Sequence, residues 1–119
     1  MDQKINVLIV EPGKNPRLST VADNLESLQQ IVGGPIEAGS YLPQRVMLIC
    51  NGEGRSMGLP PNRPNPANPQ HYIHGPFLLC IYEGENFTSL SPEQQARFQA
   101  YFALPGESVQ GGKEAPPYQ

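Results

Sequence analysis

The side chains of this chain that could bind or react are few, and most lie in its second half. His71 and His74 stand at a His-x-x-His spacing, and Cys50 and Cys80 supply two thiols. A Cys2His2 zinc site normally offers its cysteines as a closely spaced pair. Here the two thiols lie thirty residues apart, each in an apolar run. No metal and no other cofactor is therefore expected. The cysteines read as buried, reduced thiols of a cytoplasmic protein, although a disulfide between neighbouring strands is also open on their spacing.

Hydrolytic and phosphate-loop chemistry fare no better. No Gly-x-Ser-x-Gly elbow gives a serine its nucleophile context. Glu83, Glu85 and Glu53 sit beside turn residues and read as solvated carboxylates. "EPGK", Glu11 to Lys14, puts Gly-Lys after a strand but lacks the earlier glycine and the following Ser or Thr of a phosphate loop. It reads as a turn. No catalytic constellation survives, and the expectation is a protein that is not an enzyme.

The strongest binding candidate is "NGEGRSMGLPPNRPNPANPQ", residues 51 to 70, with five prolines and four asparagines in twenty positions. Arg63 is the only cation between Ser56 and Gln70. Its fork of donors suits a carboxylate or phosphate, and asparagines beside it offer donors and acceptors together. The prolines stiffen the backbone towards extended geometry. The candidate ligand-binding set is Asn51, Asn62 and Arg63, joined by Glu11, Lys14 and Tyr72. The competing reading pairs Arg63 with a structural carboxylate, Glu11 or Glu37, and leaves the segment as a crossover.

The elements that must position this segment are legible in part. "KINVLIV" is a β-branched run ending at Pro12-Gly13, as a central strand does. "ADNLESLQQIVGG" is an amphipathic helix, with Asp23 as N-cap, Glu26 three residues on and Gly33 as its stop. "PIEAGSYL" is a weaker strand and "RVMLIC" a strong one, turned back by Asn51-Gly52 or Glu53-Gly54 into "RSMGL". "GPFLLCIYEG" is a second buried strand. "SLSPEQQARFQAYF" is the best-signalled helix, with Ser91 as N-cap, Pro92 at the first turn and Gln94 closing a capping box.

These elements predict an α+β domain, with a small mixed sheet of four to five strands and two helices packed on one face. Residues 1–103 form one compact domain with an irregular Pro/Asn-rich loop at 60–74, and 104–119 a flexible C-terminal tail too poor in apolar side chains to order. Charged residues are 16% of the 119 and the net charge is −3. Without clustered Lys and Arg, nucleic acid is not the expected ligand. Apolar runs of about six residues fall far short of the ~18 a membrane span needs.

Four stretches, "VEPGKNP", "LESLQQIVGG", "ICNGEGRSMGLPPNR" and "GPFLL" with "GENFTSLSPEQ", occur in an order and spacing that resembles an uncharacterised family of small domains. That family is carried on bacteriophages, plasmids and conjugative elements, and the resemblance spans about residues 5 to 102. The chain departs from it after Arg63, where relatives have an acidic, glycine-containing turn and this sequence has "PNPANPQHYIH". The resemblance implies a non-catalytic accessory protein of a phage or mobile element. Such a protein binds a host protein or a small anionic ligand and counters host defence. Two alternatives stand beside it: a self-associating or partner-binding assembly module, forming a homo-oligomer, and an unrecognised enzyme with Glu11, Lys14 and Arg63 in one pocket.

Overall fold

Three apolar runs, each buried on both sides, make the centre of the molecule. The computed structural model describes residues 3–105. Its elements are β1 (Lys4–Val10), β2 (Arg17–Ala22), α1 (Leu25–Val32), β3 (Ile36–Leu42), β4 (Val46–Asn51), β5 (Pro61–Asn65), β6 (Asn68–His74), β7 (Phe77–Glu83), β8 (Asn86–Thr88) and α2 (Pro92–Tyr101). The main sheet runs β2-β1-β7-β4-β3, and β8 pairs with β7 where β1 leaves it. Leu90 N donates to Asn6 O at 3.1 Å and Asn6 N to Ser89 Oγ at 2.8 Å, which ties the segment after β8 to the start of β1.

Alternation of side chains along β1, β4 and β7 divides the core in two. On one face Leu8, Val10, Leu48, Cys50, Phe77 and Leu79 pack with Phe98 and Phe102 of the α2 segment and with Ile73 of β6. On the other, Ile5, Val7, Ile9, Ile49, Leu78 and Cys80 pack with Leu28 and Val32 of α1. Burial of each phenylalanine contributes about 2–3 kcal/mol. Both faces are therefore covered, which explains why these strands read as unbroken apolar runs and not as alternating ones.

The α+β class holds, with changes in its detail. The expected mixed sheet of four to five strands has six, and each of its ladders is antiparallel. The helices expected on one face lie on opposite faces, because their buried residues enter different clusters. β2 carried no strong signal, being an outer strand with mostly exposed or half-buried side chains. The expected irregular loop at 60–74 is a second sheet, the β5–β6 hairpin. Its prolines are accommodated because the pairing is irregular, with register shifts around Pro61, Pro64 and Asn65. "RSMGL" forms turns and not a returning strand.

The helix ends follow local rules, with one shift. Ser91 and Gln94 form the capping box of α2, at 3.1 and 2.9 Å. Gly33 ends α1 with φ 81°, a left-handed conformation that glycine adopts without strain. The N-cap of α1 is Asn24 and not Asp23, since Asn24 Oδ1 accepts from Ser27 N at 2.7 Å. The expected C-terminal tail falls largely on residues 106–119, which lie outside the described residues. Leu104, placed in that tail by the sequence, is described and donates its N–H to Asn15 Oδ1 at 2.7 Å. No helix among the described residues is long and apolar enough to cross a membrane.

Candidate functional site

Arg63 sits in β5, on the side of the hairpin that packs against the domain. It is only 8% exposed. Its Nε and Nη2 donate to Phe102 O at 3.1 and 2.7 Å, and Nη2 also donates to Lys14 O at 2.7 Å. Nη1 donates to Glu11 O at 3.3 Å and Asn62 Oδ1 at 2.8 Å. A guanidinium has five N–H groups, and these five contacts occupy them. Phe102 caps the C-terminal end of α2, where unpaired carbonyls carry partial negative charge and favour a cation. Burial lowers the Arg63 pKa from its ordinary value.

Asn62 extends the same clasp. Its Nδ2 donates to Val10 O and Gly75 O, both at 3.0 Å, while its Oδ1 accepts from Arg63. Glu11, Lys14, Asn62 and Arg63 thus do meet, but through the main-chain carbonyls of Glu11 and Lys14. The Glu11 carboxylate instead accepts from Arg17 Nε at 3.5 Å in an exposed pair. Neither of the carboxylates considered for Arg63, Glu11 or Glu37, is its partner. The group holds the β5–β6 hairpin, the β1–β2 turn and the end of α2 together, and it leaves no donor of Arg63 for a ligand.

Asn51 and Tyr72 lie elsewhere, on a cleft of about 230 Å³ between the sheet and the hairpin. Asn51, the buried last residue of β4, is engaged within the fold. Its Nδ2 donates to Val32 O at 3.2 Å and its Oδ1 accepts from Glu53 N at 2.7 Å. Tyr72 is half exposed on β6. Around them the cleft is lined by Glu37 of β3, Cys50 of β4, Arg55 of the following turn, Asn65 of β5, and His71 and His74 of β6.

Glycines let the chain segments that wall this cleft approach one another closely. A Cβ at Gly52 would lie 2.9 Å from Glu37 Oε1, one at Gly39 3.0 Å from Cys50 Sγ, and one at Gly54 would collide with the His74 carbonyl. The His74 ring is oriented from one side: Nδ1 lies 3.0 Å from Leu59 O. A carbonyl can only accept, so Nδ1 carries the proton and Nε2 of the neutral ring keeps its lone pair. The side chains of Arg55 and His71 are exposed and make no hydrogen bond or ion pair among the described residues. Asn65 is held by Ser40 Oγ and by donation from its Nδ2 to Gly39 O at 2.9 Å.

The chemistry of the cleft is that of polar recognition. Cys50 is its one thiol, and burial, followed by the nearby Glu37 carboxylate, pushes it up to about 11, so at neutral pH it is not a thiolate nucleophile. Cys80 lies on the opposite face of the sheet, its thiol raised to about 12, chiefly by burial. Both cysteines are free, which removes the disulfide alternative. No group of three or more His, Cys, Asp or Glu side chains among the described residues could hold a metal ion. Arg55, His71, His74 and Glu37 were not singled out by the sequence as one site. The alternation Gly52-Glu53-Gly54-Arg55 was the available signal, since closely spaced glycines mark close backbone approach.

The fold and the cleft define a small three-layer α+β domain with a polar recess beside an added hairpin. A family model described as a domain of unknown function (DUF3846) matches residues 5–103, and the chain belongs to that family. No curated protein and no solved structure matches it.

Proposed function

We propose that the protein is a non-catalytic binding protein that captures a small anion, carboxylate- or phosphoryl-bearing, in the cleft beside β6. The observation that carries this reading is the convergence of Arg55 and His71 on one glycine-walled recess, with neither side chain having a partner among the described residues. Each charge-assisted hydrogen bond from the Arg55 guanidinium is worth about 1.5–3 kcal/mol net. The volume, about 230 Å³, lies below the ~300–1,000 Å³ usual for drug-sized ligands and suits a compact charged group. Glu37 would accept from a hydroxyl or amine elsewhere on the same ligand. The biological setting is that of the resemblance: a cytoplasmic accessory protein of a phage or mobile element that sequesters a host component.

The test is calorimetry and thermal denaturation of the full chain against a panel of small carboxylates and phosphorylated metabolites. A true ligand at a hundred times its Kd raises stability by about 2.7 kcal/mol. That gain should vanish in Arg55→Ala and shrink in His71→Ala, while Arg55→Ala alone leaves the apo stability unchanged. Failure of the whole panel, or a gain that persists in Arg55→Ala, removes the proposal.

A further inference from the structure

The main sheet ends in two outer strands that are finished differently. β3 has a register shift between Ala38 and Ser40, and its Gly39 carbonyl already accepts from Asn65. A bulged edge with an occupied carbonyl is a poor template for another strand. β2 has no bulge, and its one occupied outward carbonyl, Ala22 O, lies at its very end. Its ladder with β1 runs without interruption from Lys4↔Ala22 to Ile9↔Arg17, and the strand contains no proline and no lysine.

One hydrogen bond tells which groups of β2 face outward. Asp23 N donates to Gln3 O at 2.8 Å, in the same register as the ladder. Hydrogen-bonded and non-bonded positions alternate along an antiparallel pair. Residues 17, 19 and 21 therefore direct their main-chain groups at β1, and Leu18, Thr20 and Ala22 direct theirs away from it. Ala22 O is taken by Asn24 N at 3.0 Å. The N–H and C=O groups of Leu18 and Thr20 have no partner among the described residues.

We infer that β2 is the surface through which two copies of this chain pair, edge to edge and antiparallel, about a two-fold axis at Thr20. An axis normal to the sheet keeps the faces of the two copies aligned, so opposed residues must share a face. Centring it on Thr20 sets Thr20 against Thr20 and Leu18 against Ala22, all with outward main-chain groups. It also sets Arg17 against Asp23, once at each end of the contact. These opposed charges fall at non-hydrogen-bonded positions, where side chains approach most closely. Centring on Ser19 instead opposes Ala22 to Pro16, which has no N–H, and loses the charge match. Leu18, 46% exposed in one copy, becomes covered. Arg17 is held by little else, since its contact with Glu11 is long and exposed. The product is one continuous sheet built from the two six-stranded sheets.

The test is the mass of the full chain in solution by light scattering and sedimentation. At about 100 µM, where a contact confined to one strand pair is populated, the expected mass is twice 13.0 kDa. Thr20→Pro deletes an outward N–H and should give a folded monomer. Arg17→Asp places like charges opposite each other and should weaken pairing roughly tenfold, and adding Asp23→Arg should restore it. Unchanged mass in Arg17→Asp, or no rescue by the double exchange, overturns the inference even if Thr20→Pro fails to fold. A monomer at every concentration also overturns it and leaves this edge to a strand from another protein.

Discussion

Replacing Arg63 separates a structural clasp from a ligand-binding cation. Arg63→Ala removes five hydrogen bonds, four of them to main-chain carbonyls of Phe102, Lys14 and Glu11. It also leaves Asn62 Oδ1 without its guanidinium partner. Net hydrogen bonds from a charged donor contribute about 1.5–3 kcal/mol each, but removing one group does not sum them, because water reaches the exposed part of the site. Four neutral acceptors lose their donor, and at about 1–3 kcal/mol for each one left buried and unsatisfied, partly recovered by water, the expected loss is about 3–5 kcal/mol. At roughly 4–8 °C per kcal/mol for a domain near 100 residues, the melting temperature falls by more than about 12 °C. Arg63→Lys keeps the charge but has three donors at one point and cannot span three separate carbonyls, so it should recover less than half of the loss. Urea unfolding followed by circular dichroism measures both, with an unchanged m-value expected. A variant within about 0.5 kcal/mol of the parent would refute the clasp, since that is the range of ordinary surface substitutions.

Other outcomes follow from the same structure. Gly54→Ala should destabilise by more than about 2 kcal/mol and weaken anion binding, because its Cβ meets the His74 main chain and not a side chain that can swing away; chemical denaturation and calorimetry would show both. Ser91→Ala removes the N-cap of α2 and should cost about 1 kcal/mol by urea unfolding. Cys50 and Cys80 have raised thiol pKa values, so their protonated forms favour the native state below the unfolded thiol pKa. That stabilisation is lost as pH rises through the folded values of about 11 and about 12. Native protein at pH 8 should accordingly resist iodoacetamide, and urea-unfolded protein should react at both positions, read by mass spectrometry.

Local rules made several elements legible before any contact was known. Ser91 and Gln94 sit at capping-box spacing, Gly33 follows an apolar stripe, and β1, β4 and β7 are dense in Val, Ile and Leu. β2 and the β5–β6 hairpin escaped because exposed outer strands need no apolar run, and Pro61 and Pro64 argue locally against pairing. Which helix covers which face was also beyond the pattern, since a strand buried on both sides gives no parity to read.

The amino-acid sequence by itself determined an α+β domain, its strongest strands and helix caps, and the segment carrying Asn62 and Arg63 as the feature to explain. Only the tertiary structure decided what Arg63 does. Its partners at Glu11, Lys14 and Phe102 lie 52, 49 and 39 residues away along the chain, and they offer main-chain carbonyls. Every residue has such a carbonyl, so no side-chain pattern could announce these acceptors. The same closure of the hairpin onto the sheet gathered Arg55, His71 and His74 around a cleft whose walls are glycine backbone, again the part of a protein that residue types describe least.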